Sequence, residues 1–320
     1  MRAARHQHYG APEVMEVCEM PLPEPQKGDV RIKVKATTVT AAETGMRQGK
    51  PMWGRVILGP FRPRRAMQIQ GLEYAGVIDA LGEGVNEFEV GQRVFGFLGF
   101  RPGACAEYVC AAADSSISPM PEGASFEEAA AVVDGASTAL FFLKDRAGVA
   151  AGDKVLIVGA AGSVGGYAVQ FATDMGAHVT GACSAGNADY VRSLGAEHVI
   201  DYTTQDFTTI ARDFDVVFDA VGKTSFLKAR RVLKPKGTYT STTALGRNLL
   251  WSLVTRLSPR RRVRTGMSVD KRDSLAYIKG LVEQGKLSVH IDSTFALDQI
   301  VDAHRLVDSG RKRGNVVVTL

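Results

Sequence analysis

The stretch Lys154–Ala172, KVLIVGAAGSVGGYAVQFA, sets a strand, a glycine turn and a helix one after another without a spare residue. Val155, Leu156, Ile157 and Val158 form a short apolar run, as expected of a parallel strand covered on both faces. Gly159, Gly162 and Gly165 then give a G-x-x-G-x-x-G turn, and Val164, Ala168, Val169 and Phe171 follow at roughly helical spacing. Glycine is needed where the backbone bends sharply and where a pyrophosphate must approach main-chain N–H groups at a helix N-terminus. A bare glycine triplet also serves strand-to-helix turns for steric reasons alone. Here a second strand, His178–Cys183 (HVTGAC), arrives after Gly176 at the distance a βαβ unit requires, so the stretch reads as a dinucleotide site.

Downstream the alternation continues. The pattern predicts a helix over Ala188 to Leu194, a strand at His198–Asp201, another at Asp215–Asp219, a helix over Ser225 to Leu233 and a strand at Gly237 to Thr242. Repeated βα units imply a doubly wound parallel sheet. Leu297 to Val307 reads as helical and Asn315–Leu320 (NVVVTL) as a final strand. A lone strand cannot form a domain, so this tail has to join an existing sheet, and the N-terminal module is one such sheet.

Upstream, from Met1 to about Pro119, the period is two. Val30 to Ala36 alternates apolar and charged residues, and Gly71 to Ala80, Asp79 to Gly84 and Gly91 to Gly96 continue in strands and glycine turns. Ser125 followed by Glu127 and Glu128 reads as a helix start, taken as the crossing into a second domain. Between them lies KPMWGRVILGPFRPRRAMQ (50–68), with three prolines, Trp53, Phe61 and several arginines, expected as a long loop or short irregular helix. Long excursions inside compact domains are usually functional or mobile, and a wall of the substrate pocket is as acceptable a reading as a self-packed surface loop.

The chain has 320 residues, enough for two domains, with 45% hydrophobic and 23% charged residues, the balance of a globular protein. No run reaches membrane-span length and MRAARHQHYG has no signal-peptide core, which points to the cytoplasm. Four scattered cysteines, Cys18, Cys105, Cys110 and Cys183, fit a reducing compartment. Net charge is only +5, although arginines cluster at 62–65 and 256–264. Solvated faces explain such clusters best; RNA, an acidic membrane surface or a phosphorylated ligand are the other readings, and without interleaved aromatics nucleic acid is a minor one.

Several separated motifs in order resemble the medium-chain dehydrogenase/reductase superfamily, in its zinc-free, quinone-oxidoreductase-like branch. They are YGAPEV at Tyr9, GLEYAG at Gly71, GQRVFG at Gly91, GAAGSVG at Gly159, SLGAEHVIDY at Ser193, FDAVG at Phe218 and KRGNVVVTL at Lys312. The resemblance implies an α/β fold: a GroES-like, β-rich catalytic domain (1–120 and 293–320) interrupted by a Rossmann domain (121–292). The final strand then returns to the first domain, with the active site in the cleft between the two. A homodimer through the edge of the Rossmann sheet is also implied.

The departures matter as much. Zinc-dependent members place a metal-binding cysteine where this chain has Thr40, a histidine where it has Leu72 beside Glu73, and another cysteine near Asp134. Leucine cannot ligate and threonine ligates poorly; Cys105 and Cys110 alone do not close a structural zinc site, so no metal is expected. Alcohol oxidation then lacks its Lewis acid, whereas hydride delivery to a quinone or α,β-unsaturated carbonyl spreads charge onto the acceptor's own oxygen. Thr40 is the first candidate for donating a hydrogen bond to that oxygen and Tyr74 the second.

No Asp or Glu follows Cys183 until Asp189, so NADPH is expected over NADH. By resemblance Ser184, Asn187 and Tyr202 surround the adenosine phosphate. Ala161, Gly162, Ser163 and Val164 line the pyrophosphate behind Gly159, Thr138 lies near the nicotinamide, and Ala220, Val221, Thr242, Thr243 and Asn315 complete the cofactor contacts. Competing readings are a carbonyl or alcohol dehydrogenase, disfavoured by Thr40 and Leu72, and a nucleotide-sensing or RNA-associated binding protein with little turnover.

Overall fold

The computed structural model describes residues 1–99, 101–210, 212–256 and 260–320. They divide into two compact units, Met1–Asp134 with Val269–Leu320, and Gly135–Ser268. The sequence expectation grouped 121–292 instead. The helices Phe126–Ala131 and Arg272–Glu283 fall inside that span, yet they pack on strands of the first unit, Asp29–Thr38 and Ser116–Pro119 respectively.

The first unit is organised by the strand Asp29–Thr38, which pairs antiparallel with Glu73–Leu81, Tyr108–Ala112 and Asn315–Thr319. Its alternation is what the sequence shows: Val30, Ile32, Val34 and Ala36 are buried while Lys33 is exposed. Val30, Ile32 and Val34 pack with Tyr74, Ile78, Val94 and Ile117 in one apolar core. The chain's last strand does return to this sheet, between Asp29–Thr38 and Ile291–Ala296. There Val316 and Val318 meet Leu297, Ile300 and Ala303 in a second core.

The second unit is a six-stranded sheet, all parallel, in the order His198–Asp201, His178–Cys183, Lys154–Val158, Phe214–Asp219, Leu233–Ser241, Arg262–Val263. This is the doubly wound 3-2-1-4-5-6 order of a Rossmann sheet, with the switch point at Lys154–Val158. Elements not read in the sequence include the helices Ala41–Gln48, Leu245–Arg256 and Arg272–Glu283 and the strands Arg262–Val263 and Ile291–Ala296. No helix among the described residues is long and apolar enough to cross a membrane.

Candidate functional site

The three glycines of the turn have three different tasks. Gly159 sits at φ +83°, and a Cβ there would lie 2.5 Å from Val221. At Gly165 a Cβ would come within 2.0 Å of the Gly159 carbonyl oxygen, so this glycine sets the contact between helix and strand. Gly162, the N-cap of the twelve-residue helix Ser163–Asp174, has only the Gly159 oxygen within reach, at 3.5 Å. No side chain caps that terminus, and Gly162, Ser163 and Val164 are half-buried. An uncapped helix start with an open glycine face is a cradle for a pyrophosphate.

The other predicted positions of this unit gather at the same ends of the strands. A Cβ on Gly135 would touch Ser163 Oγ at 2.2 Å, so the helix that carries Thr138 abuts the turn. After Phe214–Asp219, buried Asp219 accepts hydrogen bonds from the backbone N–H groups of Val221, Gly222, Lys223 and Thr224 at 2.8–3.2 Å. That carboxylate, not singled out in the sequence, shapes the loop bearing Ala220 and Val221. Thr242 Oγ1 donates to the Ala220 carbonyl at 3.1 Å, and Thr243 packs against Gly222. Ala161 is buried in the turn.

The loop expected to take the adenosine phosphate has a second omission. Asn187 Nδ2 donates to Ser184 Oγ at 3.2 Å, and Tyr202 stands exposed after donating its N–H to the Cys183 carbonyl. Asp201 pairs in register with Cys183, so a carboxylate does lie beside this loop. Hydrogen bonds from Thr203 and Thr204 hold it and keep its pKa below the ordinary carboxylate value. Arg192 is near enough for its charge to act on the Cys183 thiol; its visible partner is exposed Asp189 at 2.8 Å.

In the first unit the positions of the missing zinc ligands converge. Thr40 caps the helix Ala41–Gln48, accepting from the Glu43 N–H at 3.3 Å, while Glu43 Oε2 accepts from the Thr40 N–H at 2.6 Å. The other Glu43 oxygen accepts from the Leu72 N–H at 3.1 Å. Glu73, also buried, accepts from Thr38 Oγ1 and, at 2.5 Å, from the Asp134 N–H. Burial raises the carboxyl pKa of Glu43 to about 7 and that of Glu73 well above the ordinary range, with Asp134 adding repulsion. Asp134 in turn meets buried Lys271 Nζ at 2.7 Å, and that ammonium lies 4.5 Å from the Phe97 ring centre.

This donor set does not fit zinc: a leucine, a capping hydroxyl and a lysine-paired carboxylate replace nitrogen and sulfur ligands. Among the described residues no group of three or more His, Cys, Asp or Glu is arranged to hold a metal. Lys271 and Glu43 are the residues that sequence reasoning missed here; only a capping-box spacing, Thr40 to Glu43, could have marked the second. Two other expectations are qualified. Tyr74 is wholly buried in the sheet core with its hydroxyl unpartnered, so in this arrangement it reaches no ligand. Asn315, nearly buried, donates its side-chain amide to the His290 carbonyl at 3.0 Å and fixes the start of the last strand.

Comparison with known proteins agrees with this architecture. Residues 26–122 match the alcohol dehydrogenase GroES-like domain family and residues 194–318 the zinc-binding dehydrogenase family. A chloroplastic quinone-oxidoreductase of Triphysaria versicolor is 32% identical over 331 residues, covering 99% of this chain and 98% of the relative. The structure of a Coxiella burnetii quinone oxidoreductase superposes with TM-score 0.90 at 31% identity, covering 100% and 99% of the two chains. An Escherichia coli quinone oxidoreductase complexed with NADPH shares the fold, with TM-score 0.85, 22% identity and full coverage of both chains. With its glycine turn, its sheet order and a relative matched from end to end, the chain belongs to the medium-chain dehydrogenase/reductase superfamily, in the quinone-oxidoreductase-like branch of these oxidoreductases.

Proposed function

We propose that the protein transfers a hydride from NADPH to a quinone or an α,β-unsaturated carbonyl without help from a metal ion. The observation that carries this reading is the open, uncapped helix start at Gly162 in a chain whose would-be zinc ligands are Thr40, Leu72 and a lysine-paired Asp134. When bound, the nicotinamide supplies the hydride; the chain has to hold it and polarise the acceptor. Gly159, Ala161, Gly162, Ser163 and Val164 would take the pyrophosphate, and Ser184, Asn187 and Tyr202 the adenosine phosphate. Thr138, Ala220, Val221, Thr242, Thr243 and Asn315 remain proposed cofactor contacts.

Thr40 is the proposed donor to the developing enolate or quinol oxygen. Its oxygen accepts from the Glu43 N–H and its hydroxyl also interacts with the Glu43 carboxylate, so donation to the acceptor means turning the hydroxyl hydrogen from that carboxylate to the substrate. Arg192 favours NADPH, because an exposed guanidinium can exchange an exposed carboxylate for a ribose 2′-phosphate. We further place the protein in the cytoplasm as a homodimer. The exposed Leu249, Leu250 and Leu253 support an interface there, since their helix packs on the short edge strand Arg262–Val263.

Steady-state assays with a simple quinone test the proposal: kcat/KM should be at least about tenfold higher with NADPH than with NADH, and Arg192→Gln should remove most of that difference. Equal efficiency with both cofactors would refute the preference. Stoichiometric zinc in protein purified without added metal would refute metal independence. Absence of turnover together with salt-dependent RNA binding would favour a binding protein instead.

A further inference from the structure

The segment 50–68 carries an unusual combination of side chains. Met52, Trp53, Val56, Ile57 and Phe61 are 78, 67, 74, 56 and 92% exposed, five large apolar groups within ten residues. Arg62, Arg64 and Arg65 are exposed beside them and Arg55 is half-buried. No Asp or Glu occurs between Glu43 and Glu73, and none of these four arginines forms an ion pair among the described residues.

The segment is firmly held rather than loose. Tyr9 donates its hydroxyl to the Gly59 carbonyl at 2.7 Å. The Arg55 guanidinium stacks over the Tyr9 ring at 4.6 Å and donates to the Gly49 carbonyl at 3.1 Å. Arg64 closes the turn, its N–H to the Leu58 carbonyl at 2.8 Å and its side chain to the Val56 carbonyl at 3.0 Å. Gly59 permits that closure, at φ +128° with the Arg62 oxygen where a Cβ would be. The anchors lie on the backbone, on Tyr9 and on the Arg55 and Arg64 side chains, and none of them uses the apolar side chains, which stay exposed.

We infer that this face docks on an anionic lipid bilayer, with Trp53, Ile57 and Phe61 entering the headgroup boundary and Arg62, Arg64 and Arg65 pairing with lipid phosphates and carboxylates. Apolar and aromatic side chains mixed with arginines, and no acids, are what such a surface recognises. A second copy seated symmetrically on the same patch would oppose arginine to arginine. A nucleic acid would satisfy the arginines and leave Met52, Val56 and Ile57 in water. The inference does not depend on the reaction proposed above.

Co-sedimentation of the full chain with phosphatidylcholine vesicles containing about a third phosphatidylserine tests it. Binding at low salt is expected, weakening with added salt and weak on phosphatidylcholine alone. Trp53→Ser with Phe61→Ser, and separately Arg62→Gln with Arg65→Gln, which spare the turn-closing Arg64, should each weaken binding at least about tenfold with thermal melting unchanged. Should those variants misfold, brominated phospholipid should still quench Trp53 in a Trp251→Phe background. The inference is overturned by no binding to the acidic vesicles at low salt, by binding that neither variant weakens, by absence of quenching, or by a dimer that these substitutions dissolve in the absence of lipid.

Discussion

Glu43, which holds the Thr40 corner, makes stability depend on pH. Burial outweighs the hydrogen bonds it accepts from Thr40 and from the Leu72 N–H, so its carboxyl has a pKa of about 7 instead of 4.5. The folded state therefore holds a proton that the unfolded chain has already released between those two values. A raised acid pKa gives stability that is full below the unfolded value and is lost as pH rises to the folded one, a change of up to roughly 3 kcal/mol. Glu43→Gln, which keeps the cap geometry, should flatten this part of the stability curve; urea midpoints at pH 5, 6, 7 and 8 measure it. A wild-type midpoint that rises over that interval would contradict the assignment. Thr40 has two roles at the same corner, and substitution separates them. Thr40→Val should lose about 1 kcal/mol of stability with the cap and at least about tenfold in kcat, whereas Thr40→Ser should keep both. A valine variant with full kcat would remove Thr40 from the chemistry.

At the scale of elements, the turn between Lys154–Val158 and Ser163–Asp174 offers a sharp contrast. A methyl on Gly162 meets nothing closer than 3.5 Å, while one on Gly165 meets the Gly159 oxygen at 2.0 Å. Gly162→Ala should therefore melt like the wild type and lose NADPH binding in calorimetry. Gly165→Ala should lose stability by about 1–3 kcal/mol, through overpacking, whether or not cofactor is present. Unchanged NADPH affinity in the Gly162 variant would place the pyrophosphate elsewhere. The strands His178–Cys183 and His198–Asp201 were legible to the residue, because apolar runs between glycine and polar turns have no helical competitor. The helix Arg272–Glu283 was not, although Leu275, Ile278 and Leu281 recur at helical spacing and are buried. Around its start stand Asp270, Lys271, Arg272 and Asp273, and the local sequence does not show that Lys271 pairs with Asp134.

For the whole molecule, the last strand is the point of greatest leverage. Asn315–Thr319 lies inside its sheet, bonded on both sides, with Val316, Val317 and Val318 at most 1% exposed. Losing three buried valines costs on the order of 5 kcal/mol or more, a large share of a domain's total stability. A chain ending at Gly314 should accordingly fail to fold, appearing as insoluble protein or as a non-cooperative melt. A soluble truncated chain with a wild-type melting temperature would show that the strand's pairing is dispensable.

Sequence by itself determined the βα alternation behind the fold class and the glycine turn, because each rests on local residue types, apolar period and glycine spacing, while the return of the final strand and the positions of the absent zinc ligands were what the family resemblance implied. Tertiary structure decided what those types cannot encode. Burial, which depends on partners distant in the chain, removed Tyr74 from reach, brought Lys271 to Asp134 and lifted the Glu43 carboxyl towards neutrality. It also turned Trp53, Ile57 and Phe61 outward, since the same apolar residues would have served equally well in a core, and only the folded backbone fixes which way they face.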